Sequence, residues 1–499
     1  MSSETRNRVR FLLGWTPMEI SVEDSNQTVL QYLRDQACLK GTKEGCAEGD
    51  CGACTLVVGD VVDGKITYSS VNSCILFLPS LDGKQILTVE SVADGALHPV
   101  QQAMVDLHGS QCGFCTPGII MSLLTLHLNG GAKHLNGGVK NRQAIDDALA
   151  GNLCRCTGYG PIIDAAEVAC STPIDEAWQR QIQDAEAQLI AWSKDTAALK
   201  VEAKSGAYMA PKTSDQLATC LTDHTDVTLV AGATDVGLWV TKMGKRLNPI
   251  ISLADVADLK TICITDTHLD IGAGVTYSNA HAALSDISPS LGELIRRIGS
   301  LQVRNSGTIG GNIANGSPIG DMPPALIAMG ASVVLRSAQG KREVPLEDFF
   351  IEYGKQDLQS GEFVSRVLVP RYVDTFRCYK VTKRFDQDIT AVLGAFNLCI
   401  EAGIVTSARI AFGGMAGTPA RASACEVALI DRPWNMETIE LAQTGLDDDF
   451  VPMSDMRASA QYRSLAARNL LERFYLETQN STIPLELANR SALGKLGHE

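Results

Sequence analysis

The chain has 499 residues, 45% of them hydrophobic, enough for three or four separately cored domains. Its 57 acidic against 43 basic residues leave a formal charge of −14, which argues against a nucleic-acid or anionic-membrane surface. The opening MSSETRNRVRFLLG lacks the apolar core of a signal peptide, and the longest apolar run, Gly118 to Leu128, is far short of a membrane span, so the expectation is a soluble cytoplasmic protein.

Residues 8 to 24 alternate as a β-hairpin would, TVLQYLRDQ reads as a helix, and LTVESV near residue 90 closes a small sheet. Within this region Cys46, Cys51 and Cys54 have the spacing C-x4-C-x2-C, and Cys74 supplies a fourth thiolate in the plant-type 2Fe-2S pattern. Three ligands bending around one cluster need positive-φ residues and amide N–H groups aimed at sulfur, which Gly45, Gly49 and Gly52 provide. Only nineteen residues lie between Cys54 and Cys74, a short interval that points to a ferredoxin-like module inside a larger enzyme.

From His98 to about Cys170 the pattern becomes helical, with segments VQQAMVDLH, IIMSLLTLHL, RQAIDDALA and IIDAAEVA, and a doubled LNGG at 128–131 and 135–138 reads as a flexible loop. Cys112 and Cys115 (C-x2-C) and Cys154 and Cys156 (C-x-C) each precede a helix opened by Pro117 or Pro161. Thiolates there meet the positive ends of helix dipoles, which suits an electron-accepting cluster. Zinc is the structural alternative, but a C-x-C pair is awkward for a closed tetrahedral site. Disulfides would require an oxidising compartment. Residues 171–200 are polar and alanine-rich without a clear buried stripe and read as a partly helical surface connector.

From about residue 201 short strands and helices alternate, beginning with VTLVAG, the turn Ala233-Thr234 and the helix DVGLWVTK. Such a turn can present backbone N–H groups to a pyrophosphate, or be an ordinary strand-to-helix turn. In GTIGGNIANGSPIGD (307–321), five glycines interleaved with Asn312, Asn315, Ser317 and Asp321 make a poor core element and a good ligand-contacting loop. Antiparallel strands follow (FRCYKVTKR, AVLGAFNLCI, VTSARIAFGGM), then amphipathic helices in which Leu465, Leu470, Leu471 and Phe474 are expected in the core. Cys38, Cys170, Cys220, Cys263, Cys378, Cys399 and Cys425 lack ligand spacing and read as small buried hydrophobes. The eight histidines form no metal-spaced pair, and no Ser-His-Asp arrangement or catalytic side chain is expected.

The segments GTKEGCAEGDCGAC (41–54), GSQCGFCTPG (109–118) and GNLCRCTGY (151–159) resemble those of the molybdenum hydroxylases, the family of xanthine dehydrogenase and aldehyde oxidase. The resemblance covers nearly the whole chain and implies a multidomain α+β fold. Its parts would be a β-grasp 2Fe-2S ferredoxin domain (1–90), a four-helix 2Fe-2S domain (91–170) and a linker (171–200). An FAD-binding domain of the vanillyl-alcohol-oxidase or PCMH type (201–376) and a C-terminal α+β domain like that of the CO dehydrogenase flavoprotein (377–492) would follow.

The resemblance further implies two 2Fe-2S clusters on the eight cysteines and one FAD. Val230, Ala231, Gly232, Ala233, Thr234, Asp235 and Val236 would line its pyrophosphate, Thr308, Gly310, Gly311 and Asn312 would continue that wall with Asn315 in the same loop, and Asp321 would bind ribityl or ribose hydroxyls. Gln111 corresponds to the glutamine that reaches molybdopterin, or is a simple helix-end hydrogen bonder. KRFDQDITAVLGAF (383–396) is similar to the loop beside flavin and nicotinamide, which brings in Lys383; Arg384, Asp386 and Asp388 fit a solvated strand-end cluster equally well, and Ala391 stands where animal members carry lysine.

No molybdopterin-binding domain is read in the sequence. The resemblance therefore implies the iron-sulfur and FAD subunit of a two-subunit enzyme of the bacterial xanthine dehydrogenase type. Its partner would be a molybdopterin-binding large subunit, in a heterotetramer of two small and two large chains. Electrons released at molybdenum during oxidation of hypoxanthine and xanthine to urate would pass through both clusters to FAD and on to NAD. The same role in an aldehyde or N-heterocycle dehydrogenase, and an electron-transfer scaffold without its own NAD reaction, are the alternative readings.

Overall fold

The computed structural model describes residues 5–93, 95–130, 139–373 and 375–479. They fall into two compact units, one comprising Met1–Lys260, Thr276–Ser278 and Gly299–Thr308, the other Thr261–Val275, Asn279–Ile298 and Ile309–Glu499. Residues 201–376, expected as one flavin-binding domain, are thus distributed over both.

In the first unit the alternating N-terminal segments pair as a five-stranded sheet in the order Thr16–Ile20, Val9–Leu13, Gln85–Leu87, Thr55–Val62, Lys65–Asn72. The parallel pairing of Leu12 with Gln85 and Leu13 with Ile86 at its centre gives the β-grasp topology. Val9 and Phe11 are fully buried on one face, where the helical turn opened by the Thr28–Gln31 capping box lays Tyr32 against Phe11. The four expected helices are Pro99–Asp106, Thr116–Leu128, Val139–Leu149 and Gly160–Ser171. Most of the doubled LNGG lies outside the described residues. A second sheet runs Thr5–Arg6, Ala198–Ala203, Gly206–Ala210, Ile250–Ser252, Thr228–Val230.

The 171–200 stretch departs from its reading as a surface connector. It forms the 18-residue helix Glu176–Ser193, capped by Asp175, and it does have a buried stripe: Trp178, Ala185 and Leu189. Spacings of seven and four residues put these three on one helix face. Leu189 packs with Leu12, Trp15, Val61 and Ile66, while Trp178 meets the Trp15 ring edge-on at 5.0 Å and His98 at 4.7 Å. So narrow a stripe is diluted in composition by the polar residues around it.

In the second unit, one antiparallel sheet has the order Ile262–Ile264, His268–Gly272, Phe363–Pro370, Ser332–Ser337, Gly340–Pro345. Another has the order Thr375–Val381, Val392–Glu401, Ile404–Gly413, Ala420–Arg421, with Met436–Asp449 and Ala460–Thr478 as its long helices. Leu470, Leu471 and Phe474 are buried as expected, but Leu465 is exposed. The stripe that reaches the core runs Arg463, Ala467, Leu470, Leu471, Phe474, and Leu465 lies two residues, about 200° of helix rotation, away from its start. Of the seven cysteines outside the motifs only Cys170, Cys378 and Cys425 are buried; Cys220 and Cys399 are half-buried, and Cys38 and Cys263 are exposed. Among the described residues no helix is long and apolar enough to cross a membrane.

Two outcomes follow for stability. Trp178→Ala should cost about 3–5 kcal/mol, read as an earlier first transition in denaturant unfolding. Burial, with the nearby His127, pushes His98 down to about 4. Its folded value lies below the ordinary value near 6.5, so the unfolded chain takes up the proton first and stability is lost as pH falls from about 6.5 to about 4. Thermal unfolding of His98→Gln should therefore show a shallower decline over that window than the parent protein.

Candidate functional site

The first four thiols are gathered by a loop that only glycines allow. A Cβ on Gly45 would sit 2.8 Å from the Cys51 sulfur, and Gly49 and Gly52 have φ of 78° and 68°. The Cys51 N–H donates to Cys46 Sγ at 3.3 Å. A thiol hydrogen bond from Cys51 draws Cys46 down to about 5 and drives Cys51 up, and Cys54 is likewise lowered by Cys74, which is raised in turn. Cys54 and Cys74 are 2% exposed. Asn72, which no motif pointed to, donates to Gly49 O at 2.9 Å and accepts from the Cys54 thiol.

The second four divide the same way. Cys115 occupies the N-cap position of Thr116–Leu128, with Pro117 in the first turn. Tyr159, at φ 69°, opens Gly160–Ser171; its hydroxyl accepts from Cys154 N at 2.7 Å and donates to Asn152 O at 2.9 Å, closing the C-x-C loop. Burial and a hydrogen bond with Cys154 push Cys115 up to about 12, while for Cys154 burial is outweighed by hydrogen bonds from Thr157 and it is lowered. The Phe114 amide and then Cys156 lower Cys112, and Cys156 is raised by Cys112. Cys112 and Cys156 are exposed, together with Gln111, Phe114, Leu153 and Arg155, whereas Cys154 is buried.

Among the described residues no three or more His, Cys, Asp or Glu side chains gather as a site for a metal ion. The thiols come as pairs, Cys46 with Cys51, Cys54 with Cys74, Cys112 with Cys156 and Cys115 with Cys154, and the pairs of each set lie close enough to raise one another electrostatically. Two thiols for each iron of a two-iron cluster fit this arrangement.

The two loops touch. Leu153 N donates to Cys51 O at 3.0 Å and Asn152 Nδ2 to Gly52 O at 3.1 Å. A Cβ on Gly52 would fall 2.0 Å from Gly151 O, and one on Gly118 would fall 2.2 Å from Gly52 O, so the contact is closed to any side chain.

Also in the first unit, Val230 ends a strand, Ala233 has φ 57°, and Asp235 precedes the helix Val236–Thr241. The turn presses on residues 306–307: a Cβ on Gly232 would lie 1.8 Å from Ser306 O, and one on Gly307 would lie 3.4 Å from Thr234 Oγ1. Thr308 is buried and bridges Thr276. The helix that follows the turn packs on the first thiol loop. Leu238 lies against the cluster of Cys54, Cys74 and Ile75, Gly237 meets the Ile75 backbone, Thr241 Oγ1 donates to Ala47 O at 2.7 Å, and Lys242 pairs with Glu48 at 3.4 Å.

In the second unit Gly310 N donates to Ala273 O at 3.0 Å, Gly311 is half-buried, and Asn312 Oδ1 is buried without a partner, as a hydroxyl-binding acceptor would be. Asn315 is exposed. Asp321, 8% exposed, holds Lys380 at 2.6 Å through one carboxylate oxygen and accepts from Thr390 through the other. Lys380, itself buried, is a residue the sequence reading passed over. Lys383 is exposed, donates to Met456 O at 2.7 Å, and lines an open cavity of about 540 Å³ with Thr382, Ala391, Arg457 and Tyr462. Arg384 pairs with Asp388 at 3.5 Å and Asp386 with Arg296 at 3.7 Å.

Four family models match the chain. They are a 2Fe-2S iron-sulfur cluster binding domain over 15–77, a [2Fe-2S] binding domain over 88–167, the FAD binding domain in molybdopterin dehydrogenase over 200–372, and the CO dehydrogenase flavoprotein C-terminal domain over 377–478. Xanthine dehydrogenase of Emericella nidulans is 29% identical over 537 residues, covering 95% of this chain and 39% of that protein. Aldehyde oxidase 1 of Bos taurus is 28% identical over 532 residues, covering 94% and 39%. The chain spans about two fifths of the length of these curated relatives. Among solved structures, carbon monoxide dehydrogenase from Hydrogenophaga pseudoflava, in a form lacking the Mo-pyranopterin moiety of its cofactor, matches with a TM-score of 0.51 at 27% identity, covering 53% of this chain and 94% of that one. The expected multidomain α+β architecture, with two 2Fe-2S domains, an FAD-binding domain and a flavoprotein C-terminal domain, is thereby established.

Gly232→Ala tests the turn. Its methyl group meets backbone rather than a movable side chain, so it should cost about 1–3 kcal/mol in thermal unfolding and speed amide exchange at residues 303–308.

Proposed function

We propose, for a chain that belongs to the molybdenum hydroxylase family, that it is the electron-transferring subunit of a xanthine dehydrogenase, carrying electrons from a molybdopterin-bearing partner toward NAD. In the cofactors' own chemistry, a 2Fe-2S centre exchanges single electrons and FAD collects two for release as a hydride. On this reading Cys46 and Cys51 hold one iron of the first cluster and Cys54 and Cys74 the other; Cys112 with Cys156 and Cys115 with Cys154 divide the second in the same way. Val230 to Val236 with Thr308 line the flavin pyrophosphate, Gly310, Gly311, Asn312 and Asn315 contact the flavin, Asp321 serves its ribityl hydroxyls, and Lys383 stands at the acceptor side.

The observation that carries this reading is an order of contacts within the first unit. The second thiol set has two members at the surface, its loop hydrogen-bonds the first set's loop through Leu153 and Cys51, and the first set's loop is covered by the helix that follows the candidate flavin turn. An outward end, a middle and an inner end are what a relay requires, and Gln111 with Phe114 and Leu153 at the outward end suits docking of a large subunit. A cytoplasmic heterotetramer of two small and two large chains is the assembly we expect. Nothing in the chain is needed as a general base; its work is placement and exclusion of solvent.

A second reading rests on the near-equal identity to xanthine dehydrogenase and to aldehyde oxidase: the same subunit would serve an aldehyde or N-heterocycle substrate chosen by the partner. Purification with the co-expressed large subunit and assay with xanthine or an aldehyde and NAD decides between them. For the chain itself, electron paramagnetic resonance of the reduced protein should give two distinct 2Fe-2S signals. Cys54→Ser should remove one and Cys115→Ser the other, each with loss of half the iron. A single signal at full iron loading, or a protein isolated without flavin, would sink the reading.

A further inference from the structure

The buried contact between the two thiol loops has a third participant. Gln302, 1% exposed, lies on the short helix Leu301–Arg304, in a segment remote in sequence from both loops. Its Nε2 is 3.2 Å from each of three oxygens: Thr55 Oγ1 beside Cys54, Ser122 Oγ on the helix that begins at Cys115, and Asn152 Oδ1 two residues before Cys154.

Donors and acceptors at this node leave little choice. The Thr55 hydroxyl donates to Gly52 O at 2.7 Å and the Ser122 hydroxyl to Asn152 Oδ1 at 2.6 Å, while Asn152 Nδ2 donates to Gly52 O and Thr55 Oγ1. With both hydroxyl hydrogens committed, all three oxygens facing Gln302 act as acceptors. The amide must then present its NH2 to them, and a flipped amide would set oxygen against oxygen. Gln302 Oε1 is buried without a partner and lies over Gly151, where a Cβ would fall 1.9 Å from it. The three acceptors belong to separate segments and coincide only when the Gly52 loop and the Gly151–Leu153 loop are apposed.

We propose that Gln302 is a positioning residue: its amide locks the loop bearing Cys51 and Cys54 onto the loop bearing Cys154, so that a segment of the flavin-binding region sets the separation of the two iron-sulfur sites. This rests on the assignment of the eight cysteines as cluster ligands. Neither thiol set touches Gln302 directly, so it acts through Thr55, Ser122 and Asn152.

The test uses the full-length protein with its iron and flavin loaded. The reduced parent protein should show two 2Fe-2S signals whose lines are broadened or split at low temperature by the interaction of the two spins, and the Leu153 amide should be protected from hydrogen exchange. Gln302→Met keeps the shape and removes both donors; Gln302→Glu sets a carboxylate against three acceptors. In each, both signals and full iron should persist while the spin interaction is reduced or lost and Leu153 exchanges faster. Asn305→Ala, which removes the neighbouring anchor to Ser70 and touches neither loop, should leave the interaction intact. Unchanged coupling and unchanged Leu153 protection in both Gln302 variants would overturn the proposal, as would equal loss of coupling in Asn305→Ala, or two parent signals that do not interact. Fewer than two signals in the parent would instead refute the ligand assignment.

Discussion

Where the two thiol-bearing loops meet, backbone faces backbone too closely for a Cβ, and this constraint governs the first unit. Gly52 faces the Gly151 carbonyl, Gly118 the Gly52 carbonyl and Gly151 the Gln302 side-chain oxygen at separations no alanine could tolerate, and the Leu153 to Cys51 hydrogen bond forms beside them. Electron transfer needs short, fixed separations, and a contact made of backbone is less able to drift than one made of side chains. The polar node of Thr55, Ser122, Asn152 and Gln302 is the other half of the same constraint. Buried donors are costly when unpaired, and Gln302 Nε2 finds its acceptors only with the loops apposed, so the node favours one arrangement of the loops over its alternatives.

Electrostatics divides the two thiol sets unequally. Cys54 and Cys74 are sealed from solvent and take hydrogen bonds from backbone amides of the loop; Cys112 and Cys156 stand in the open. Reduction potentials of iron-sulfur centres respond to hydrogen bonding and solvent exposure, so the unequal burial is the means by which this chain would hold two clusters at different potentials. On the proposed function the same asymmetry would provide an approachable end for a partner and a protected end toward the flavin.

The second unit is built around partnered charge rather than open polarity. Asp321 and Lys380 neutralise each other in the interior, and Arg463 donates to the Gly414 carbonyl and to Asp455 beneath the cavity that Lys383 lines. Asn312 is one of several residues of this unit with a buried side-chain atom left over, and it falls in the glycine-rich loop 307–321. On the proposed function the substrate is the partner's concern, which agrees with near-equal likeness to a xanthine dehydrogenase and an aldehyde oxidase.

Local chemistry made much of this legible. The cysteine spacings, the prolines that open two helices and the alternation of the first strands are all short-range signals, and the elements they announce are present. The exposure of Leu465 and the buried stripe of Glu176–Ser193 are not legible in the sequence, because a few residues on one helix face do not dominate the composition of a window, and only the neighbouring surface fixes which face is inward. By itself the sequence determined the cysteine spacings, their grouping into two sets and the order of modules. Which thiols pair, which set faces solvent, and that Gln302 reaches both loops were decided by tertiary structure alone. Most of those relations join residues distant along the chain, as Gln302 is from Thr55, Ser122 and Asn152, and no periodicity records a contact that exists only after the loops have closed on each other.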